Sequence, residues 1–514
     1  MEQRRRLYSL NYGNSRQIIR AVLIGLVTGL VVSLFRLSIQ TVLKWTLVAF
    51  KYFHTHPLWL ISWAIGAIVL ALILGHITQK NPNIKGSGIP QVEGQLMGEF
   101  DEKWWPVLWR KFFGGILSIG PGLFLGREGP SIQLGATVGQ GIAETGQVTA
   151  VERRVGIASG AAAGLSAAFN APIASSMFIL EEVYHNFSPL VWLSVFISAL
   201  CSNMVSIQFF GLKPDLNVPH ESVFPLNQYW QLLLLGLLLG GLGRLYQVVI
   251  LQLGKWTRKV KWFKPAWYPV VPFLLMMPIA WYWPVTLGGG NELIVNLARM
   301  QPVLLWLAWL FVLRFVFSMI SYASELPGGI FLPILTLGAV FGALYSAVMA
   351  SFGLVPIHYL PNYVIYAMAG YFACISKAPF TAILLITEMV GTMAHLMPLA
   401  VVAIVAYLVD DVMGGRPVYF AMFENFIHQR PHAKLRGMTQ MTTTIFEGAK
   451  LDGMAVKDFT WPEGSLVLAI YRGEEQLVPH GNTQLKVGDT LVIQLTGANH
   501  LSNQKQINEA AHEA

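Results

Sequence analysis

Three short segments of this 514-residue chain join glycine to proline in the same way: GSGIP at 86–90, GREGP at 126–130 and GGIFLP at 328–333. Glycines at 86, 88, 126, 129, 328 and 329 let the backbone approach a ligand, and Pro90, Pro130 and Pro333 suit a first helical turn, where a missing N–H costs nothing. Each segment therefore predicts a helix start, whose free N–H groups and dipole hold an anion without a full positive charge. Glycine and proline also serve helix packing and kinks, so one such loop would say little and three say more. Glu128, inside the second loop, is the single acid of an apolar, glycine-rich stretch. A carboxylate at membrane depth points to function by default, with an ion pair to the adjacent Arg127 as the competing explanation. Glu181 and Glu182 close the apolar run from Ile173 to Leu180, as a proton-handling pair or as carboxylates that merely reach water. His185, one turn beyond Glu181, could assist a proton route, although a histidine at an interface is usually just solvated.

The elements that must position these groups belong in lipid. Charged residues make up 12% of the chain and apolar residues 54%, with a mean hydropathy of +0.52. An ordinary soluble chain is about 25% charged. The net charge of +8 does not imply nucleic acid, because the basic residues cluster as membrane topology would place them. Arg4, Arg5, Arg6, Arg16 and Arg20 precede the first apolar run, Lys255, Arg258, Lys259, Lys261 and Lys264 form a second group, and Arg430, Lys434 and Arg436 follow the last run. All three groups, and both termini, are expected on the cytoplasmic side of a multi-pass cell-membrane protein. No small-residue cleavage site follows the first run, so a removed signal peptide is not expected. Cys201 and Cys374, both in apolar runs, give no disulfide framework and no CxxC metal site.

Uncharged stretches at 57–75, 155–180, 187–212, 225–243, 265–291 and 389–409 are each expected to cross once. The stretch 326–376 is too long for one crossing and contains four prolines, so it predicts broken or re-entrant helices. From about Met438 the composition changes, and strands are expected at 442–447, 465–471, 476–478 and 490–495, followed by a frayed polar tail at 499–514.

The chain also repeats itself. GREGPSIQLGATVG (126–139) matches FLPILTLGAVFG (331–342) at Pro130, Gly135, Ala136 and Gly139 against Pro333, Gly338, Ala339 and Gly342. NAPIASSMFILEE (170–182) matches KAPFTAILLITEM (377–389) at Ala171, Pro172 and Glu181 against Ala378, Pro379 and Glu388. Two matches in the same order, at offsets of 203 and 207, indicate duplicated halves of the kind that meet around a midplane site, often with inverted topology.

With WRKFFGG (109–115), AAFNAP (167–172), FILEE (178–182) and RPVY (416–419), the three loops in this order resemble the CLC family of chloride channels and chloride/proton antiporters over about residues 16–425. The resemblance implies an all-α polytopic membrane fold with inverted repeats and broken helices. It also implies a homodimer in the lipid bilayer with one anion pathway per subunit. In family terms Ser87, Gly88, Ile330, Phe331 and Tyr419 bind the anion, the first and last through hydroxyls and the pair at 330–331 through backbone N–H groups. A neutral donor holds chloride weakly enough to release it. Glu128 becomes the gate, whose carboxylate competes with anions and leaves when protonated. Glu182 becomes the inner proton acceptor, while Glu181 is structural or lines the pathway. Gly86, Ile89, Pro90, Gly126, Arg127, Gly129, Pro130, Gly328, Gly329 and Pro333 support the loops.

These assignments imply a secondary active, electrogenic chloride/proton antiporter rather than an enzyme, with chloride and protons as cargo and no cofactor. A passive chloride channel and a fluoride/proton antiporter on the same scaffold are the alternatives, and retained Ser87, Glu182 and Tyr419 speak against both. A membrane enzyme using Glu181 and Glu182 would lack a nucleophile, a metal set and a phosphate-binding motif. The expected domains are residues 1–430 in the membrane, 431–441 as linker, and 442–498 as a small cytoplasmic α+β domain. That domain, with Pro479, Gly481 and Thr483 before LKVGD, resembles TrkA-C (RCK-C) ligand-binding subdomains, which implies a small-molecule or nucleotide ligand. A passive stability or dimerisation role is the other expectation.

Overall fold

The computed structural model describes residues 12–146, 148–212, 214–216, 218, 224–259, 264–299, 303–428, 439–473, 475–496 and 500–512. Of the basic clusters, Arg4, Arg5, Arg6, Lys261, Arg430, Lys434 and Arg436 lie outside the described residues, as does Met438. Two compact units emerge, one of described residues up to Leu96 and from Glu102 to Phe426, the other of Met97–Asp101 with the described residues from Ile427 onward.

The first unit is helical: α1 Tyr12–Phe53, α2 Trp59–Lys80, α3 Ile89–Met97, α4 Trp104–Ile119, α5 Glu128–Thr145, α6 Ala150–Phe169, α7 Pro172–Phe178, α8 Pro189–Phe210 and α9 Tyr229–Lys259. It continues with α10 Val270–Tyr282, α11 Asn291–Leu297, α12 Leu304–Ala323, α13 Phe331–Ser351, α14 Leu360–Ser376, α15 Pro379–Val390, α16 Leu396–Val412 and α17 Val418–His428. Among the described residues six helices are long and apolar enough to cross a membrane, in α1, α2, α8, α9, α12 and α13.

Three expectations about the crossings need correction. The stretch 155–180 is not one span: α6 stops at Asn170, whose backbone is left-handed (φ 56°), and α7 starts at Pro172. The stretch 265–291 yields only the 13-residue α10, closed by the turn at Pro284. A 20-residue span at α12 escapes a search for uncharged runs because it carries Arg314 at its middle, fully buried. The stretch 326–376 does break as expected, into α13 and α14.

The core of this unit is built from small residues. A side chain on Gly135 would collide with the carbonyl of Gly160, and one on Gly139 with that of Gly156, so α5 and α6 cross with backbones touching. The repeat mates behave alike, because Gly338 and Gly342 of α13 meet Ala367 and Tyr363 of α14. The sequence repeat is thus a repeat of packing.

The second unit carries a four-stranded antiparallel sheet, β1 Thr439–Thr444, β2 Ser465–Arg472, β3 Glu475–Leu477 and β4 Thr490–Leu495, in the order β1-β4-β2-β3. Its core gathers Leu451, Ile470, Leu485, Leu491, Ile493 and Leu495. Residues 439–441, expected within the linker, already belong to β1. The tail is not frayed: α18 (His500–His512) packs Ile507, Ala510 and Ala511 into that core, and the carbonyls of Ala510 and Ala511 accept from the Leu451 and Phe446 N–H groups. The spacing of those three residues puts them on one helical face, which outweighs the polar composition around them.

Candidate functional site

All three glycine loops start helices as predicted, and the fold brings them together. GSGIP leads into α3, GREGP into α5 and GGIFLP into α13. The Gly126 N–H donates to the Gly329 carbonyl at 2.7 Å, and the Gly329 N–H donates back to Gly126 at 2.7 Å. Gly328 N–H donates to the Gly86 carbonyl at 3.0 Å, which ties in the third loop. Left-handed backbone at Gly86 (φ 56°) and Gly88 (φ 93°), which favours glycine, turns the first loop towards the others, and a side chain at Gly88 would also collide with Gln133. The α5 and α13 starts therefore meet head to head, concentrating two positive dipole ends in one buried place.

Glu128, the first residue of α5, is fully buried there. Its Oε2 lies beside Gly126 and near the Leu332 amide of α13, and neither carboxylate oxygen receives a hydrogen bond from the described residues. Arg127 Nε stands 3.7 Å from Glu128 Oε1. Ser87, 1% exposed, aims its hydroxyl at Gly129, the residue after Glu128. Tyr419, near the start of α17, is fully buried with no hydrogen-bond partner for its hydroxyl among the described residues. Its ring meets Phe178 edge-on at 5.9 Å, and Phe178 meets Phe331 at 5.5 Å. Buried orphan hydroxyls and carboxylates are costly, so a cluster of them marks a place that handles a polar guest.

Glu181 and Glu182 sit on a π-helical turn, Ile179–Val183, which follows α7 directly. Such a turn often marks a functional site. Glu181 turns outward, where its Oε2 accepts from the Thr381 N–H at 2.9 Å and the Thr381 hydroxyl at 2.6 Å, capping α15. Its repeat mate Glu388 returns the contact, accepting from the Ile173 and Ala174 N–H groups at 3.1 and 2.7 Å and capping α7. Glu182 is different: it is 5% exposed, and its Oε1 receives no hydrogen bond from the described residues. His185 is exposed, on left-handed backbone (φ 50°) beyond the turn.

Several residues near the loops carry no role in the sequence reading. Lys111, fully buried in α4, donates to the Ile84 and Gly86 carbonyls at 3.0 and 2.8 Å, so a positive charge stands directly behind the Ser87 loop. A lysine inside the apolar run of α4 is the signal that could have found it. Glu93 of α3 is wholly buried with both carboxylate oxygens unbonded among the described residues, close enough for its charge to act on Glu182. Tyr322 packs its hydroxyl against Gly86. No group of three or more potential metal ligands occurs among the described residues.

Known proteins resemble the chain along most of its length. The family model described as voltage gated chloride channel matches residues 70–411, and the TrkA-C domain model matches residues 443–499. A protein named H(+)/Cl(-) exchange transporter ClcA from Yersinia pestis bv. Antiqua (strain Angola) is 32% identical over 82% of this chain and 90% of its own length. Its namesake from Vibrio vulnificus (strain YJ016) is 33% identical over 79% of this chain and 89% of that one. Among solved structures, a slow cyanobacterial Cl-/H+ antiporter is 27% identical with a TM-score of 0.76, covering 81% of this chain and 99% of that one. A CLC-type fluoride/proton antiporter, 22% identical with a TM-score of 0.63 over 79% of this chain and 97% of that one, shares the fold.

Proposed function

This chain belongs to the voltage-gated chloride channel (CLC) family, a multi-pass membrane protein with a C-terminal TrkA-C domain, and we propose that it exchanges chloride for protons. The observation that carries the proposal is Glu128: a carboxylate without hydrogen-bond partners among the described residues, set where two helix N-termini meet. As an anion it occupies the place that the dipole ends would otherwise offer to chloride. Once protonated it has lost the charge that holds it there, and the N–H groups at Ile330 and Phe331 and the hydroxyls of Ser87 and Tyr419 become available to the ion. Lys111 adds positive potential from behind the Gly86 carbonyl without touching the anion, which keeps binding shallow enough for release.

Exchange rather than passive flow needs a proton to reach Glu128 from the far side by a route chloride does not use. Glu182, buried and without a hydrogen bond to one oxygen, is the group for that step, and Glu93 beside it could share the proton. Moving an anion one way and a proton the other transfers net charge, so the exchange is electrogenic. We extend the proposal to a homodimer with both termini cytoplasmic; Lys255, Arg258 and Lys259 at the end of α9 fit that orientation. The TrkA-C domain would bind a small molecule or nucleotide that sets activity, and a nucleotide series that leaves both its melting temperature and the flux unchanged would count against this.

The test of the exchange itself is Glu128→Gln in liposomes loaded with chloride, with anion flux and internal pH followed together. Chloride should still move, with little pH dependence, and protons should not. Proton uptake against a gradient by this variant would overturn the assignment. Chloride flux without proton movement in the unmodified protein would instead mean a passive channel.

A further inference from the structure

The gate does not face Arg127 alone. Arg127 lies between two carboxylates, with Nε 3.7 Å from Glu128 Oε1 and Nη2 3.6 Å from Asp215 Oδ2. Asp215, in the segment after α8, is tightly paired with Nη2 of Arg36 from α1 and accepts from Asn291 Nδ2 of α11 at 3.0 Å. Both arginines reach the same carbonyl, that of Ala168 at the end of α6, with Arg36 at 3.2 Å and Arg127 at 3.5 Å. The four charged side chains are between 0 and 9% exposed. Asn291 and Arg127 also line a cavity of about 100 Å³ together with Gln40, Gly289, Gly290 and Leu332. Among the described residues every polar contact of the Arg127 guanidinium is 3.5 Å or longer, while Asp215 has two closer partners. Arg127 is therefore a shared cation, and its position answers to the charge on Asp215.

We propose that Asp215 is a positioning residue for transport: it draws Arg127 away from Glu128, and so sets how much acid is needed to release the gate. The proposal rests on the assignment of Glu128 as gate. The charged and titratable groups acting on Glu128 are Arg127, Arg36, Asp215 and the Tyr419 hydroxyl. With Glu128 itself counted, the two guanidinium groups balance two carboxylates. Without the Asp215 charge, two guanidinium groups face a single carboxylate and hold it ionised in the pathway. Without Arg36, Asp215 has Arg127 to itself, and Glu128 loses its counter-ion.

The two deletions therefore act in opposite directions. In liposomes, the pH of half-maximal chloride flux should move about one unit to the acid side in Asp215→Asn and about one unit to the alkaline side in Arg36→Gln, a size typical of one nearby charge. The double variant should return close to the unmodified value. Shifts in the same direction, no shift, or a double variant worse than either single one would indicate plain structural support and overturn the proposal. If Asp215→Asn does not assemble, Arg36→Gln still decides, because an alkaline shift is required of it and a merely structural loss would lower flux at every pH. Glu128→Gln is measured alongside. If it abolishes the pH dependence while the Asp215 and Arg36 variants do not shift, only this proposal fails; if it keeps the pH dependence, the gate assignment fails first.

Discussion

The two halves of the membrane unit are alike in what holds them and unlike in what they offer to an ion. Buried Lys111 donates to the carbonyls of Ile84 and Gly86, and Arg314, 203 residues later, donates to those of Thr286 and Gly288 at 2.8 and 3.1 Å. Gly86 and Gly88 have positive φ in the GSGIP loop of the first half, and so do Gly288 and Gly290 in the corresponding segment 288–290 of the second half. Asn170 and Lys377 take the same left-handed turn before Ala-Pro, and Glu181 and Glu388 cap each other's neighbouring helices. Against this symmetry, Ser87 answers to Gly289, Glu128 to Phe331, and Glu182 to Met389. The paired positions satisfy backbone groups. Two of the unpaired ones, Glu128 and Glu182, carry carboxylate oxygens without hydrogen-bond partners among the described residues, and the third, Ser87, places a hydroxyl where its counterpart has none.

The largest effect that would test this contrast is on Glu182, which has no acidic counterpart at Met389. Glu182→Gln should reduce chloride-driven proton flux at least about tenfold, as loss of a proton-transfer group does. Chloride flux should remain and still rise at low pH, because Glu128 is intact. Full coupling in this variant would show that the broken position is not where protons pass.

The buried cations sharpen the comparison next. Lys111→Met should weaken chloride binding about thirtyfold, because a buried unit charge close to an ion at an effective dielectric near 20 contributes about 2 kcal/mol. Arg314→Met should weaken it much less, since Gly289 in its loop has no hydroxyl to offer. Calorimetric chloride titrations of the two proteins check it, and equal losses would mean that the halves share the anion evenly.

Smaller still are the mirrored caps. Glu181→Gln and Glu388→Gln should each cost about 1 kcal/mol of stability through loss of charge-assisted capping bonds, with coupling unchanged in both. Unequal melting shifts, or uncoupling in Glu181→Gln alone, would break the symmetry claimed for them.

The smallest expected effect lies in the TrkA-C domain and concerns pH. Burial pushes the Asp489 carboxyl up, but two bonds from Arg472 at 2.8 and 2.7 Å and the Lys486 N–H hold it below the ordinary carboxylate range. A depressed carboxylate stabilises the fold above its unfolded value, near pH 4, and that contribution fades as pH falls through the lower folded value. Protection of β2 and β4 amides, as exchange relative to the intrinsic rate at each pH, should therefore be flat from pH 7 to about 5 and fall only in stronger acid, and Asp489→Asn should lose that acid limb.

How much of this was legible in the chain depends on the range of the interaction. The three helix starts were predictable because glycine and proline act on the backbone within a few residues, and the repeat was visible because the same backbone turns recur at 170 and 377. The TrkA-C strands were legible from alternation, although β1 begins three residues earlier than expected. The final helix was missed because its apolar face is only Ile507, Ala510 and Ala511, too thin a stripe to stand out until a sheet lies against it.

The sequence by itself determined the membrane setting, the duplicated scaffold and the residue types able to meet an anion or a proton, since composition and local backbone preference do not depend on distant partners. Only the tertiary structure decided which of two adjacent glutamates is spent on a cap, because that turns on Thr381, two hundred residues away. It also decided that Arg36, Arg127, Asp215 and Asn291 form one cluster. They come from four separate elements, and charges interact through space rather than along the chain.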